Sequence, residues 1–151
     1  MIEEKLRSLN ITLPTPPKPA GSYVPVVISQ KVAYVSGQIP MEEGKILYAG
    51  KVTKNVTVEN AQKAARLCTL NALAQLKEYL GDLERIVKIV RISGYVNSDH
   101  EFMEQPKVIN AASDLLFELF GEKGRHTRIA VGVASLPLNS TVELDMIVEI
   151  S

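Results

Sequence analysis

Apolar residues recur at steps of three and four from Thr57 to Leu80, where Ala61, Ala65, Cys68, Ala72, Leu76 and Leu80 would share one stripe of a helix. Thr57 suits the N-cap of that helix and Gly81 its stop. A second stripe, Val108, Ala112, Leu115, Leu116 and Leu119, follows Pro106 in the first turn and ends at Gly121. Ile2, Leu6 and Leu9 mark a short N-terminal helix, and the run Leu13-Pro14-Thr15-Pro16-Pro17-Lys18-Pro19 then forces an extended arm, because each proline fixes φ and removes a donor. Elsewhere the pattern is that of strands. Tyr23–Ile28 and Val32–Ser36 flank Ser29-Gln30-Lys31 and predict a hairpin, with Pro25 placing its first strand at a sheet edge. Ile86–Val96 reads as a buried strand broken at Gly94. Thr127–Leu136 and Thr141–Ile150 read as two more strands, closed into a terminal hairpin at Pro137-Leu138-Asn139-Ser140. Between Gly37 and Asn55 no period stands out, although Gly44 and Gly50 punctuate the stretch.

The order β-β-α-β-α-β-β predicts an α/β (α+β) fold, a mixed sheet with two helices on one face. Residues 1–20 form the N-terminal helix and proline-rich arm, and residues 21–151 a single domain. No further helix is left to cover the second sheet face. Its apolar positions, for example Val142, Leu144 and Met146 or their neighbours, are therefore expected to be buried between subunits.

Composition narrows the function classes. Of 151 residues 46% are hydrophobic and 23% charged, which suits a globular chain and excludes a disordered one. Seventeen basic side chains balance seventeen acidic ones, so no global field draws the chain onto nucleic acid or an anionic membrane; any anion site has to be local. One cysteine and two histidines exclude an intrachain disulfide and leave little for a metal cluster. The N-terminus lacks a signal-peptide pattern and no apolar run approaches membrane-spanning length, so a cytoplasmic location is expected.

Cys68 lies on the apolar stripe of the long helix and reads as a core residue, and His100, in Asn97-Ser98-Asp99-His100, as a surface or capping residue. Gly121-Glu122-Lys123-Gly124-Arg125-His126-Thr127-Arg128 gathers the one local cationic cluster directly ahead of an apolar strand. Arg125 and His126 read as loop residues. Arg128 needs an explanation, because a guanidinium entering such a strand is costly unless it meets an anion. Two partners answer that cost: the carboxylate of a ligand, held bidentately, or an internal ion pair to Glu143 or Asp145 on the neighbouring strand of the expected hairpin.

Several separated segments resemble the RidA/YjgF family of reactive-intermediate imine deaminases, also labelled endoribonuclease L-PSP or translation initiation inhibitors. Gly21-Ser22-Tyr23-Val24 resembles its Gly-Pro-Tyr segment, Val35-Ser36-Gly37-Gln38-Ile39-Pro40 its Ser-Gly-Gln-Ile-Pro turn, and Asn110 the asparagine near the start of its second helix. Thr127–Pro137 followed by Val142-Glu143-Leu144-Asp145 resembles its arginine strand, Leu-Pro turn and glutamate-bearing last strand. The resemblance implies a chorismate-mutase-like homotrimer with sheets inward, helices outward and a ligand cleft at each subunit interface. It implies hydrolysis of 2-imino or enamine acids, such as 2-aminoacrylate, to 2-keto acids and ammonia without metal or organic cofactor. By the same resemblance Arg128 grips the substrate carboxylate, the main-chain carbonyl of Ala130 polarises water, Glu143 places that water, and Tyr23, Ser36, Gly37 and Asn110 line the pocket. Ala130 stands where many members have cysteine. The chain is also longer than compact members, and Gly124-Arg125-His126-Thr127-Arg128 resembles a divergent subgroup. A non-catalytic trimeric binder of small carboxylates and an endoribonuclease remain as alternatives, the latter disfavoured by the balanced charge.

Overall fold

The computed structural model describes residues 1–151. The elements run α1 (Ile2–Ser8), β1 (Val26–Ser29), β2 (Val32–Gln38), β3 (Met41–Glu42), β4 (Lys45–Ile46), α2 (Val58–Leu80), β5 (Ile86–Asn97), α3 (Gln105–Phe120), β6 (Thr127–Val133) and β7 (Val142–Ile150). Thr57 caps α2 by accepting from the Asn60 N–H at 3.1 Å, and Gly81, at φ +80°, ends it. The buried stripe of α2 is rich in small side chains, Ala61, Ala64, Ala65, Cys68 and Ala72, which let the helix lie close against the sheet. The pair β3–β4 falls in the stretch without period. Its turn is carried by Glu43 and Gly44, both at positive φ, as a tight hairpin requires.

The main sheet has the order β1-β2-β7-β5-β6. The first hairpin forms as the sequence predicts, with β1 at the edge. The terminal hairpin does not. Helix α3 carries the chain from β5 across the sheet face, so β6 returns parallel to β5, and β7 inserts antiparallel between β5 and β2. The Pro137–Asn139 turn therefore spans β5 instead of joining adjacent strands. Nor does Gly94 break its strand: β5 is continuous to Asn97, and Gly94 is required because a Cβ there would lie 2.6 Å from the side chain of Ile109 on α3. Register shifts in β5 between Ile86 and Lys88, and between Ile89 and Arg91, alter the parity of the strand. Ile86, Ile89, Ile92 and Val96 thus enter the core while Val87 and Val90 remain exposed.

Both long helices cover one face of the sheet. Val142, Leu144 and Met146, expected between subunits, lie instead inside the single chain, fully buried in the core cluster with α2 and α3. The intervening positions of β7 belong to the open face, where the register aligns Val27, Tyr34, Ile147 and Arg91 in one row and Glu143, Tyr95 and Val131 in another. Val27, Tyr34, Ile129 and Val131 are exposed there.

Close packing at Gly94 opposes strand propensity, which gives a prediction of definite sign. Gly94→Val improves β propensity yet should destabilise the fold by about 1–3 kcal/mol through overpacking against Ile109. Urea unfolding measures it, and an unchanged or raised midpoint would contradict the packing.

Candidate functional site

Arg128 leaves the sheet on the helix side. It pairs with the core residue Ile92, so its side chain runs toward α3, at the edge strand of the sheet. Pro106, Asn110, Ser113 and Phe117 follow at three- and four-residue steps along the adjacent stripe of that helix. Arg128 Nη1 donates to Ser113 Oγ at 3.0 Å, and Nη2 donates to Asn110 Oδ1 at 2.8 Å and to the Pro106 carbonyl at 3.4 Å. All three acceptors are neutral. None of the ion pairs of the chain includes Arg128. The guanidinium lines a cleft of about 360 Å³ with Asn110, Ser113, Asp114, Phe117, Arg125 and His126.

An internal ion pair from Arg128 to Glu143 or Asp145 is therefore corrected by the topology. Strand β5 lies between the two strands, and Arg128 projects on the helix side while Glu143 projects on the open face.

His126 is more than a loop residue. Gly124, where a Cβ would overlap the Leu116 carbonyl, lets the loop close onto α3. His126 Nδ1 lies 2.7 Å from the Gly124 carbonyl and Nε2 lies 2.9 Å from Ser113 Oγ. Burial lowers the His126 pKa most; the Gly124 hydrogen bond opposes this, and the charges of Arg128 and Lys88 lower it further. Arg125 stacks 4.5 Å from the Phe117 ring centroid and pairs with Glu122 at 2.9 Å.

Glu143 sits in a second cavity, about 340 Å³, lined also by Tyr23, Gly37, Gln38, Gln75 and the proline arm from Pro17 to Ala20. A bulge shapes it. The β2–β7 register shifts between Val35 and Gln38, at Ser36 and Gly37. A Cβ on Gly37 would overlap Glu143 Oε1, so only glycine admits the carboxylate there. Burial raises the Glu143 pKa above the usual carboxylate range and the neighbouring Asp145 adds to this. Ser36 does not line the cavity; its hydroxyl donates to the Val24 carbonyl at 2.8 Å and fixes the segment that carries Tyr23. Gln75 Nε2 anchors the arm through the Pro17 carbonyl at 2.6 Å.

The expected site residues thus fall into two separate groups: Arg128 and Asn110 in one cleft, Tyr23, Gly37 and Glu143 in the other cavity. Ala130 lies on the Arg128 strand and lines neither. Sequence reading missed Ser113, although its place on the Asn110 stripe was a usable signal. Lys51, whose ammonium donates to Asn97 Oδ1 and the Ala134 carbonyl, lines neither cavity. Cys68 is fully buried, 3.7 Å from the Val142 carbonyl, and burial pushes its thiol well above its usual range, as a core residue requires. His100 stands exposed beside Asp99. No group of three or more His, Cys, Asp or Glu side chains is placed to hold a metal ion. No helix is long and apolar enough to cross a membrane.

Residues 3–150 match the family model described as "YjgF/chorismate mutase-like, putative endoribonuclease". Protein TCP17 of Trypanosoma cruzi is 42% identical over 99% of this chain and 94% of its own. A crystal structure of a protein of unknown function from Agrobacterium tumefaciens is 51% identical, with a TM-score of 0.93 over 99% of this chain and 92% of that one. TdcF of E. coli, solved with bound serine, shares the fold at 24% identity, with a TM-score of 0.63 over 91% of this chain and 94% of that one. Matched almost end to end in sequence and in fold, the chain belongs to the YjgF/chorismate-mutase-like family.

Proposed function

We propose that this protein is a cofactor-free deaminase of reactive 2-imino and enamine acids, working as a homotrimer with a site at each interface. The observation that carries the proposal is the state of Arg128: a partly buried guanidinium, held in place by three neutral oxygens and facing a cleft, with no acidic partner. A small organic acid supplies the missing charge, and the planar guanidinium matches a carboxylate in geometry. Serine, bound in the TdcF structure, carries such a group.

A single copy does not bring Arg128 and Glu143 to one small ligand, since they project on opposite sides of the sheet and from different strands. The open face, with exposed Val27, Tyr34, Ile129 and Val131, supplies apolar surface for association. Packing copies through that face would set the Arg128 cleft of one against the Tyr23–Gly37–Glu143 cavity of the next.

The chemistry asks little of the protein. The carbon of a protonated imine is already electrophilic; water adds to it, the carbinolamine expels ammonia, and a 2-keto acid remains. Arg128 orients the substrate, the Ala130 carbonyl polarises the water, and Glu143 accepts a proton from it and returns one to the departing nitrogen. The raised Glu143 pKa suits this exchange, bringing a carboxylate nearer the operating pH. Tyr23, Ser36, Gly37 and Asn110 shape and hold the surroundings. An endoribonuclease, which the family description mentions, would have to bind polyanionic RNA with a chain of zero formal net charge.

Coupling the protein to a serine or threonine dehydratase and following keto-acid release tests the reaction; no acceleration over free hydrolysis would rule it out. Arg128→Lys removes the bidentate fork, and 2-keto-acid affinity should fall on the order of tenfold to a hundredfold by isothermal calorimetry. Equal affinity in the variant would place the carboxylate elsewhere. Glu143→Gln should slow turnover while raising thermal stability on the alkaline side of the raised Glu143 pKa. The folded-state pKa is raised, so ionisation costs the native state as pH climbs through that value, and glutamine removes the cost. A lower melting temperature in this variant would show instead that the carboxylate is favourably held.

A further inference from the structure

We infer that His126 is the second cationic member of the carboxylate site: it takes up a proton when an organic acid binds Arg128, and its protonation frees the Ser113 hydroxyl to donate to the ligand. The inference rests on the reading of Arg128 as a carboxylate receptor and adds a group to it.

Hydrogen-bond direction sets the starting state. A carbonyl can only accept, so His126 Nδ1 carries the proton shared with Gly124 at 2.7 Å. In the neutral ring Nε2 is then an acceptor, and at 2.9 Å it receives the Ser113 hydroxyl proton. The same hydroxyl oxygen accepts from Arg128 Nη1 at 3.0 Å. The one hydroxyl proton of Ser113 is thus committed to the imidazole, while its oxygen accepts from the guanidinium and keeps one lone pair free. Protonating Nε2 reverses one link. Both neighbours then donate to Ser113 Oγ, and the hydroxyl proton is released toward the cleft that Ser113, His126 and Arg128 line together.

Charge favours that reversal only when a ligand carboxylate meets Arg128, because Asp114 lines the same cleft without pairing with Arg128 or His126. Facing His126 are Arg128 from β6, Lys88 from β5, and Ser113, Asp114 and Phe117 from α3; the loop itself contributes Glu122, paired with Arg125, and Lys123. Lys88 is tied to the Glu122 carbonyl at 2.9 Å. With the cleft empty, burial and the two nearby cations hold the imidazole neutral at neutral pH. A bound carboxylate offsets the Arg128 charge and adds an acceptor for the freed hydroxyl, so the His126 pKa must rise. By linkage the same free energy tightens ligand binding as pH falls, by at most about tenfold per pH unit between the free and bound pKa values.

The test is an NMR titration of the two imidazoles in the wild-type protein, with and without saturating 2-ketobutyrate. The His126 pKa is expected to rise on binding. Calorimetry in buffers of different ionisation enthalpy should show net proton uptake that His126→Gln abolishes, together with the tightening of 2-ketobutyrate binding as pH falls. Binding with no change at His126, or uptake that persists in His126→Gln, overturns the linkage alone. Absence of any 2-ketobutyrate binding overturns the carboxylate reading and the linkage with it.

Discussion

An arginine side chain whose charge no acid answers is the constraint around which this molecule is organised. Desolvating a guanidinium is expensive, and a fold seeking only stability would pair it with a carboxylate or replace it with an apolar residue. Here it is met by a serine hydroxyl, an asparagine amide oxygen and a main-chain carbonyl, all from one stripe of α3. These acceptors fix its direction and leave its charge available. The topology maintains that condition: β5, lying between β6 and β7, and the opposed projection of Arg128 and Glu143 keep the glutamate of β7 from neutralising it.

The surroundings of Glu143 are arranged by a different device. The bulge at Ser36 and Gly37 leaves space without a Cβ, and the Glu143 carboxylate fills it. Half-burial and Asp145 then make that carboxylate reluctant to ionise. The proline arm, anchored by Gln75, supplies the outer wall. Cation and carboxylate thus stand at separate places in one copy, and the proposed association through the open sheet face is what would bring them together.

Much of the fold was legible because long helices and edge hairpins are written in local periodicity and caps. Thr57, Gly81, Pro106 and Gly121 mark the two helices where the sequence places them. The terminal hairpin was misread because two neighbouring β segments suggest pairing, whereas the α3 crossover that forces β6 parallel to β5 is a tertiary constraint. Gly94 looked like a breaker since its partner, Ile109, is remote in sequence. The same limit applied to Val142, Leu144 and Met146: alternation identifies a buried face but not what buries it. At the site, Arg128 stood out by its burden of charge in an apolar strand. Ser113 and the inward role of His126 did not, because a polar residue on a helix and a histidine in a loop look ordinary until a close contact at Gly124 folds one onto the other.

The most direct measurement is a crystal structure of the protein soaked with 2-ketobutyrate. The keto acid should lie between two copies, with its carboxylate on the Arg128 guanidinium and its keto carbon toward Glu143 of the neighbouring copy. A ligand bound away from Arg128, or a protein that remains monomeric with its open sheet face in solvent, would contradict this arrangement.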